Sequence, residues 1–202
     1  MFQTQVHNFK LPDSDIILYD NFFDPTESDR LYSSLLEKIK WQQDQITLFG
    51  KTYEVPRLTA LYGDCDKAYT YSGITMKPHA WIEDLLFIKK RIEKVSNVSF
   101  SSCLLNLYRD GRDSNGWHQD NEKELGRNPI IGSVSFGETR PFHFRHIQDK
   151  SLETQKILLT HGSFLLMKGT TQHFWKHQIP KTSRKLSPRI NLTFRIIERK
   201  SS

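Results

Sequence analysis

A histidine and an aspartate separated by a single residue form the pattern in this sequence that points most directly to chemistry. His118 and Asp120 lie in SNGWHQDNE, after a run rich in glycine, aspartate, arginine and asparagine. On a β-strand, residues i and i+2 point to the same side, so the imidazole and the carboxylate would converge. A metal ion is one species that could bind there, and it would need a further ligand from elsewhere in the chain.

The chain has eight histidines, and the third ligand has to be chosen among those other than His118. His177, in FWKHQIPK, lies between a strand predicted to end near Gly169 and the strand that begins at Arg189, and spacing favours it only slightly. The competing histidines are His143, His146, His161 and His173. Two histidines and one carboxylate on one side of a metal, with the other positions open, are typical of non-heme Fe(II). The open positions could hold a chelating cosubstrate and dioxygen.

A second pattern, late in the chain, predicts a strand that binds an anion. In RINLTFRII polar side chains alternate with apolar ones, and the polar face carries Arg189, Asn191, Thr193 and Arg195. A solvent-facing strand would alternate in the same way. Two guanidinium groups on one face with no acid between them repel each other unless an anion lies there, and arginine suits bidentate binding of a carboxylate. Asn106 and Tyr108 likewise share one face of LNLYR. A carboxylated cosubstrate on the metal would connect the two patterns.

The elements that would position these residues follow from hydrophobic periodicity. The segments 24–41 and 77–95 predict amphipathic helices, the first with Asp24 and Pro25 at its start. The segment 46–57 predicts a hairpin with its tip at Phe49, Gly50 and Lys51. From residue 100 onward, short β-rich segments are separated by turn residues, which favours a sandwich or barrel. The chain is therefore predicted to be α+β, mainly β, with helices in its N-terminal part.

Composition limits the classes of protein to consider. The chain has 202 residues, of which 37% are hydrophobic, enough for the core of one domain. Its net charge of +6 favours phosphate-bearing partners such as nucleic acid. The two cysteines form neither a CxxC pair nor a disulfide framework, which predicts a reducing compartment, the cytoplasm in a bacterium or the nucleus in a eukaryote. Without a long apolar run or a secretory signal, we expect no membrane contact, and we expect a monomer.

Several motifs together resemble the AlkB family of Fe(II)- and 2-oxoglutarate-dependent dioxygenases, in particular the members that repair alkylated nucleic acid. The resemblance rests on NLYRDG, WHQD, KHQIPK and PRINLTFR, and it extends to YGDCDKAYTYSG and PIIGSVSFGETRPFHFRH, so that it covers residues 49–197. It implies a double-stranded β-helix, or jelly roll, with N-terminal helices and a substrate-binding hairpin. It also implies one domain over residues 1–202, with a helical and hairpin nucleotide-recognition part at 1–99 and a catalytic core at 100–197.

The resemblance assigns roles to the residues described above. It makes His118, Asp120 and His177 the Fe(II) ligands. The 2-oxoglutarate-binding positions that it implies are Asn106, Tyr108, Arg189, Asn191, Thr193 and Arg195, with Arg189 pairing with the distal carboxylate. Dioxygen would be the second cosubstrate. The implied reaction couples oxidative decarboxylation of 2-oxoglutarate to hydroxylation of an N-methyl carbon, which leaves as formaldehyde and restores the base.

The implied substrate is DNA with N-alkyl lesions such as 1-methyladenine and 3-methylcytosine, and the damaged base would be flipped out of the duplex. The family's base-contacting segment matches Tyr69, Thr70 and Tyr71, while Asn121 and Glu122 directly follow Asp120. The alternatives are the same iron chemistry on RNA or protein, and a non-catalytic module that binds nucleic acid.

The hairpin and a late basic segment are the other candidates for contact with DNA. Phe49 is predicted as a wedge that fills the gap left by a flipped base, although it could equally fold into the core. Its proposed companions are Gly50, Lys51 and Arg57. The basic segment contains Lys181, Arg184 and Lys185, which fit phosphate contact but could also form a solvated loop.

Overall fold

The computed structural model describes residues 3–48, 50–64, 69–71 and 74–197, with only the backbone described at 48, 69–71 and 74–76. The strands in these ranges are β1 (Gln5–Phe9), β2 (Asp15–Asp20), β3 (Gln45–Leu48), β4 (Lys51–Glu54), β5 (Leu58–Gly63), β6 (Tyr69–Tyr71), β7 (Ile74–Met76), β8 (Ser102–Tyr108), β9 (Asn115–His118), β10 (Ile131–Gly137), β11 (Arg140–His146), β12 (Gln155–Leu159), β13 (Ser163–Lys168), β14 (Trp175–Ile179) and β15 (Arg189–Arg195). The helices are α1 (Pro25–Lys38), α2 (Glu83–Ser96) and α3 (Thr171–Phe174), and a 3-10 turn spans Lys123–Leu125.

Two antiparallel sheets make up most of the molecule, as the mainly β prediction requires. The larger sheet has seven strands in the order β1-β2-β13-β10-β15-β8-β5, and the smaller has four in the order β12-β11-β14-β9. From β8 onward the chain passes back and forth between them, since β8, β10, β13 and β15 lie in the larger sheet and β9, β11, β12 and β14 in the smaller. The hairpins β3-β4 and β6-β7 are separate two-stranded sheets.

The larger sheet is covered on both faces. One hydrophobic core lies between the two sheets and includes Leu165 of β13 and Phe144 of β11. A second core lies between the larger sheet and the helices, where Leu35 of α1 and Ile88 of α2 pack near Leu192 of β15. Because of this double coverage, β8 and β15 are buried along their whole length. The polar side chains of β15 therefore lie inside the protein, which excludes a solvent-facing strand.

Helix α1 begins at the predicted signal. Asp24 Oδ1 accepts a hydrogen bond from the Glu27 N–H at 2.8 Å, and Glu27 Oε2 accepts one from the Asp24 N–H, with Pro25 in the first turn. A cap of this kind contributes about 0.5–2 kcal/mol. The helix ends at Lys38 rather than at residue 41, because Ile39 has extended backbone angles.

Helix α2 is shorter than predicted, because it begins at Glu83 rather than at Lys77. The backbone of His79 is engaged elsewhere: its N–H donates to the Leu61 carbonyl at 2.8 Å, and its carbonyl accepts from the Gly63 N–H at 3.0 Å. These residues therefore extend the pairing of β5 instead of forming a first helical turn. Within the described ranges, no helix has both the length and the hydrophobicity of a transmembrane span.

Three strands from the first 99 residues belong to the larger sheet, and the sequence patterns did not predict them. β2 pairs with β13, β5 pairs with β8, and β1 covers the edge of β2. The sequence signal was weak because β5 is buried almost throughout and β1 is exposed almost throughout. Neither strand therefore shows the alternation of apolar and polar residues that marks a half-buried strand. This part of the chain thus contributes to the sheet as well as to the helices and the hairpin.

The predicted hairpin at 46–57 is present as β3 and β4. Every residue of β4 is exposed, and Gly50 at the tip has a positive φ of 75°, which suits glycine. The hairpin joins the body through the Val55 N–H, which donates to the Asp44 carbonyl at 2.9 Å. Phe49, the predicted wedge, lies outside the described residues.

Candidate active site

The pairing of β9 with β14 brings the predicted metal ligands together. His118 lies opposite His177 in this ladder, and the centroids of the two rings are 4.3 Å apart. Asp120 lies just past the end of β9, with its Oδ2 3.7 Å from His177 Nε2. One ligand atom from each of the three lies within 4.8 Å of the others. Small side-chain movements would let a single ion contact all three.

Strand register, rather than spacing, separates His177 from its competitors. Within the described residues, this is the one group of three histidine, cysteine or acidic side chains close enough together to hold a metal ion. His143, His146, His161 and His173 do not belong to it. His146 and His161 instead accept hydrogen bonds from backbone N–H groups, each at 2.8 Å. His173 contacts a main-chain oxygen of Arg127.

Hydrogen bonding determines which nitrogen of His118 is available to a metal. Nδ1 lies 2.7 Å from the Gly116 carbonyl oxygen, so this nitrogen carries the proton and donates it. Nε2 keeps its lone pair, and the side-chain amide of Asn115 lies 3.1 Å from it. Histidines that bind metals commonly donate their other N–H to a carbonyl oxygen in this way. His118 is therefore oriented to bind a metal through Nε2.

Asp120 is a buried carboxylate, only 1% exposed. Its Oδ1 accepts a hydrogen bond from Arg195 Nη2 at 2.6 Å. Burial alone would raise the pKa of Asp120, but the positive charge of Arg195 opposes burial most strongly, and this pKa is lowered to about 2. Asp120 is thus ionised at neutral pH, as a metal ligand must be.

The two histidines are neutral at the same pH. His177 packs against the rings of Phe142 and Phe144, with centroids 5.0 and 5.9 Å away. Burial, followed by the influence of His118, lowers the pKa of His177 to about 3. Burial also lowers the pKa of His118. Two neutral imidazoles and one carboxylate are a donor set that fits Fe(II).

The cluster lines a cavity between the sheets, together with the residues predicted to bind an anion. The predicted residues in the cavity wall are Asn106, Tyr108, His118, Asp120, His177, Arg189, Asn191, Thr193 and Arg195. Apolar side chains such as Phe142 and Ile179 complete the wall. The polar face of β15 thus points toward the cluster.

Arg189 is a buried cation in this cavity, 1% exposed. Its Nη2 donates to Ser135 Oγ at 2.9 Å, whereas Nε and Nη1 have no hydrogen-bond acceptor in the described part of the chain. Burial lowers the pKa of Arg189 to about 10, so the group stays charged at neutral pH. The ring of Tyr108 lies 5.3 Å from the guanidinium carbon. Because buried N–H groups without acceptors cost free energy, the arrangement fits a carboxylate ligand.

The side chains between the two arginines are already held in place. Asn191 Nδ2 donates to Ser133 Oγ at 2.8 Å and to the Val134 carbonyl at 3.1 Å. Thr193 Oγ1 donates to Asn191 Oδ1 at 3.1 Å. These side chains would therefore lose little conformational entropy when a ligand binds in the cavity.

Comparison with known proteins agrees with this geometry. A family model described as the 2OG-Fe(II) oxygenase superfamily matches residues 15–195. The human alpha-ketoglutarate-dependent dioxygenase alkB homolog 3 is 43% identical over 192 residues, which cover 91% of this chain. The mouse DNA oxidative demethylase ALKBH2 is 37% identical over 188 residues, 89% of this chain and 79% of that protein. This chain belongs to the AlkB-type 2-oxoglutarate- and Fe(II)-dependent dioxygenases.

The extent of these matches differs between the relatives. The chain spans 66% of the length of the human alkB homolog 3. A solved structure, described as that of OsALKBH1, matches with a TM-score of 0.63 at 18% identity, over 96% of this chain and 100% of its own. This match supports a common fold for the two proteins. The family specifies Fe(II), 2-oxoglutarate and O2, and the His118, Asp120 and His177 cluster is a donor set in the described part of this chain that fits the metal.

One residue that was predicted to contact the substrate is buried in this AlkB-type protein, against a residue of the cavity wall, instead of lying at its surface. Arg57 is 7% exposed. Its Nε donates to Asn106 Oδ1 at 2.7 Å, and its Nη1 donates to the Ser114 carbonyl at 3.2 Å. It thus links the base of the hairpin to the cavity and to the segment before His118. Contact with DNA would require the side chain to leave this position.

The other residues proposed to contact the substrate remain predictions. Lys51 and Gly50 are exposed at the hairpin tip, and Asn121 is exposed beside the cluster. Glu122 is half-buried, and burial raises its pKa. At positions 69–71 the structure describes only the backbone of β6.

Arg140 is a buried cation beside Tyr108 of the cavity wall, 5.8 Å from the centre of its ring, and the sequence patterns did not point to it. It is 1% exposed, and its Nη2 donates to the carbonyls of Asp113 at 3.1 Å and Pro180 at 2.7 Å. It therefore ties together two loops next to the cavity. A signal was available, because Arg140 shares the inward face of β11 with Phe142 and Phe144, an unusual place for a charge.

Proposed function

We propose that this protein is an oxidative demethylase that reverses N-alkyl lesions, such as 1-methyladenine and 3-methylcytosine, in DNA, with Fe(II), 2-oxoglutarate and O2. The observation that carries the proposal is a single cavity that joins a His–Asp–His cluster to a buried arginine with two N–H groups that lack acceptors among the described residues. The name of the mouse relative, DNA oxidative demethylase, supports DNA as the substrate.

We propose in addition that the two-sheet core is a double-stranded β-helix built from β8 to β15. The repeated passage of the chain between the two sheets along these eight strands, with β11 and β12 as the one consecutive pair in the same sheet, supports this assignment. The protein would act as a monomer. Residues 1–202 would form one domain that acts where nucleic acid is found, in the bacterial cytoplasm or the eukaryotic nucleus.

His118, Asp120 and His177 would hold Fe(II) on one side and leave its other positions open toward the cavity. Bound Fe(II) would supply the activation of O2, coupled to oxidative decarboxylation of 2-oxoglutarate and hydroxylation of the N-methyl carbon. Arg195 would keep Asp120 ionised through their 2.6 Å contact. The rings of Phe142 and Phe144 would exclude water from the side of His177.

The other polar residues of the cavity would bind 2-oxoglutarate. Arg189 would pair with the distal carboxylate, and Tyr108, whose ring is 5.3 Å from the guanidinium carbon, would bond a carboxylate oxygen. Arg195, at the other end of β15, would hold the metal-side end together with Asn106. Asn191 and Thr193 would line the path between the two ends.

DNA would bind over the exposed hairpin, with the alkylated base flipped toward the cluster. The base-contacting residues in this proposal are Tyr69, Thr70, Tyr71, Asn121 and Glu122. Three exposed basic residues between β14 and β15, namely Lys181, Arg184 and Lys185, would contact phosphates. The net charge of +6 supports a polyanionic partner.

Product analysis tests the proposed function. Incubation with Fe(II), 2-oxoglutarate, O2 and an oligonucleotide that contains 1-methyladenine should release formaldehyde and succinate in equal amounts, and the unmodified oligonucleotide should release no formaldehyde. The same lesion in RNA compares the two nucleic acids. If only the RNA releases formaldehyde, the substrate is RNA and not DNA. Binding of DNA without succinate or formaldehyde would contradict the enzyme and favour a non-catalytic module.

Replacing Phe49 with alanine should separate duplex from single-stranded substrates. Flipping a base from a duplex costs a few kcal/mol, and an aromatic wedge recovers about 1–3 kcal/mol by stacking. Repair of a methylated duplex should therefore fall about 10-fold, while repair of the same single strand should change little. Both rates are measured on one methylated sequence with and without its complement.

The matched control for this variant is Tyr53→Ala, which removes a half-exposed aromatic side chain from β4 of the same hairpin. Its effects on the two substrates should be small and equal. Equal losses on duplex and single strand for Phe49→Ala would instead place Phe49 in the protein core and remove the proposed role of the hairpin tip.

A further inference from the structure

A buried glutamine of α3 contacts the segment that carries one of the proposed metal ligands. Gln172 is 0% exposed. Its side-chain Oε1 accepts a hydrogen bond from the backbone N–H of Asp120 at 3.0 Å. Its backbone carbonyl accepts a second one from Gln119 Nε2 at 2.6 Å. A single residue, far away in sequence, thus holds both the peptide of Asp120 and the side chain before it.

Asp120 needs such support because it lies beyond its strand. The ladder of β9 and β14 pairs His118 with His177, and β9 ends at His118. The rule that places residues i and i+2 on one side applies within a strand, so it does not by itself orient Asp120. The hydrogen bond to Gln172 replaces the missing ladder bond and fixes the direction in which the carboxylate leaves the backbone.

Gln172 is itself anchored. The neighbouring Thr171 is 0% exposed, donates from Oγ1 to the Lys168 carbonyl at 2.6 Å, and accepts from the Asp15 N–H at 2.9 Å. Gln172 Nε2 lies 3.6 Å from the sulfur of Met167. The same segment continues directly into β14, which carries His177. The support of Asp120 and the ligand His177 therefore belong to one continuous segment.

We propose that Gln172 is a positioning residue of the metal centre, and that it sets metal affinity by holding the backbone of Asp120; this inference rests on the proposed metal site. Gln172 acts through Asp120 and makes no contact with the metal itself. Groups that orient a metal ligand in this way commonly contribute about 10- to 100-fold in metal affinity.

Three variants separate a positioning role from general packing. Gln172→Met has a similar length but no strong acceptor, and it should weaken Co(II) binding by about 10- to 100-fold. Gln172→Glu keeps an acceptor oxygen at the same reach and should recover most of the affinity. Gln119→Met removes only the second hydrogen bond between the two segments, and it should bind Co(II) as the unaltered protein does.

Two quantities are measured. Co(II) affinity comes from titration of the metal-free protein, monitored through the d–d absorption of the bound ion. The unfolding temperature is measured without metal. A lower unfolding temperature for Gln172→Met with unchanged Co(II) affinity would overturn the proposal and leave a purely structural role. Equal weakness of the Met and Glu variants would overturn it as well, because the acceptor would then not be the cause. Should Gln172→Met not fold, Gln172→Asn, whose amide is too short to reach Asp120, takes its place.

One further variant separates this inference from the proposed metal site. If His118→Ala binds Co(II) as tightly as the unaltered protein, the metal site itself is wrong. If His118→Ala loses the metal and Gln172→Met does not, the metal site stands and the role of Gln172 alone is rejected.

Discussion

Replacing His118 with alanine is expected to abolish turnover and to weaken Fe(II) binding by more than about 100-fold, since even residues that only orient a ligand contribute up to about that factor. The fold should persist, because the ring is hydrogen-bonded to its chain neighbours Asn115 and Gly116. Anaerobic titration with Fe(II) measures the binding loss, succinate release measures turnover, and thermal unfolding of the metal-free protein measures the fold.

The matched control is His143→Ala. His143 is a half-buried histidine on β11, a strand next to β14 in the same sheet, and it lies outside the ligand cluster. We expect it to bind Fe(II) with unchanged affinity. Full iron-dependent turnover by His118→Ala would show that the metal binds elsewhere.

Replacing Arg189 with methionine is expected to raise the 2-oxoglutarate concentration required for half-maximal turnover by about 10- to 100-fold. This range corresponds to the roughly 1.5–3 kcal/mol of a hydrogen-bonded pair with a charged group. DNA binding should change much less, because Arg189 is buried in the cavity. The measurements are succinate formation against 2-oxoglutarate concentration, and binding of a methylated oligonucleotide without cosubstrate.

Thermal stability gives an independent test of the proposed role of Arg189 in binding 2-oxoglutarate. Two N–H groups of Arg189 lack acceptors among the described residues, so its charge destabilises the protein that has no cosubstrate bound. The unfolding temperature of Arg189→Met without 2-oxoglutarate should therefore not fall greatly, while the stabilisation that 2-oxoglutarate gives the unaltered protein should be lost. Arg145→Met removes an exposed arginine of β11 and serves as the control. An unchanged 2-oxoglutarate requirement in Arg189→Met would reject the anion pocket on β15.

Local sequence patterns were enough to predict those helices and strands in which apolar side chains recur with the period of a helix or of a strand. Helix α1 could be predicted because Leu31 and Leu35 recur about one helical turn apart, behind a capping signal at Asp24. Strand β15 could be predicted because polar and apolar side chains alternate along it. His118 and Asp120 could be recognised as a chemical pair because they are close in sequence. In each case the signal lies within a few consecutive residues.

Tertiary structure decided which distant residues complete the site. Spacing left five histidines as possible third ligands, and the pairing of β14 with β9 brought His177 to His118. Arg57 had been grouped with the hairpin as a contact for DNA, but it is buried against Asn106. Strands β1, β2 and β5 join a sheet whose other members all follow residue 100.

The physical reason is that backbone periodicity belongs to a short stretch of chain, whereas strand register and burial depend on segments far apart in sequence. A slip of one residue between β14 and β9 would turn His177 to the opposite face without altering any local pattern. Asp120 shows the same limit. The i, i+2 rule assumes a strand, yet β9 ends at His118, and the N–H of Asp120 is bound by Gln172, a residue that only the folded chain brings beside it.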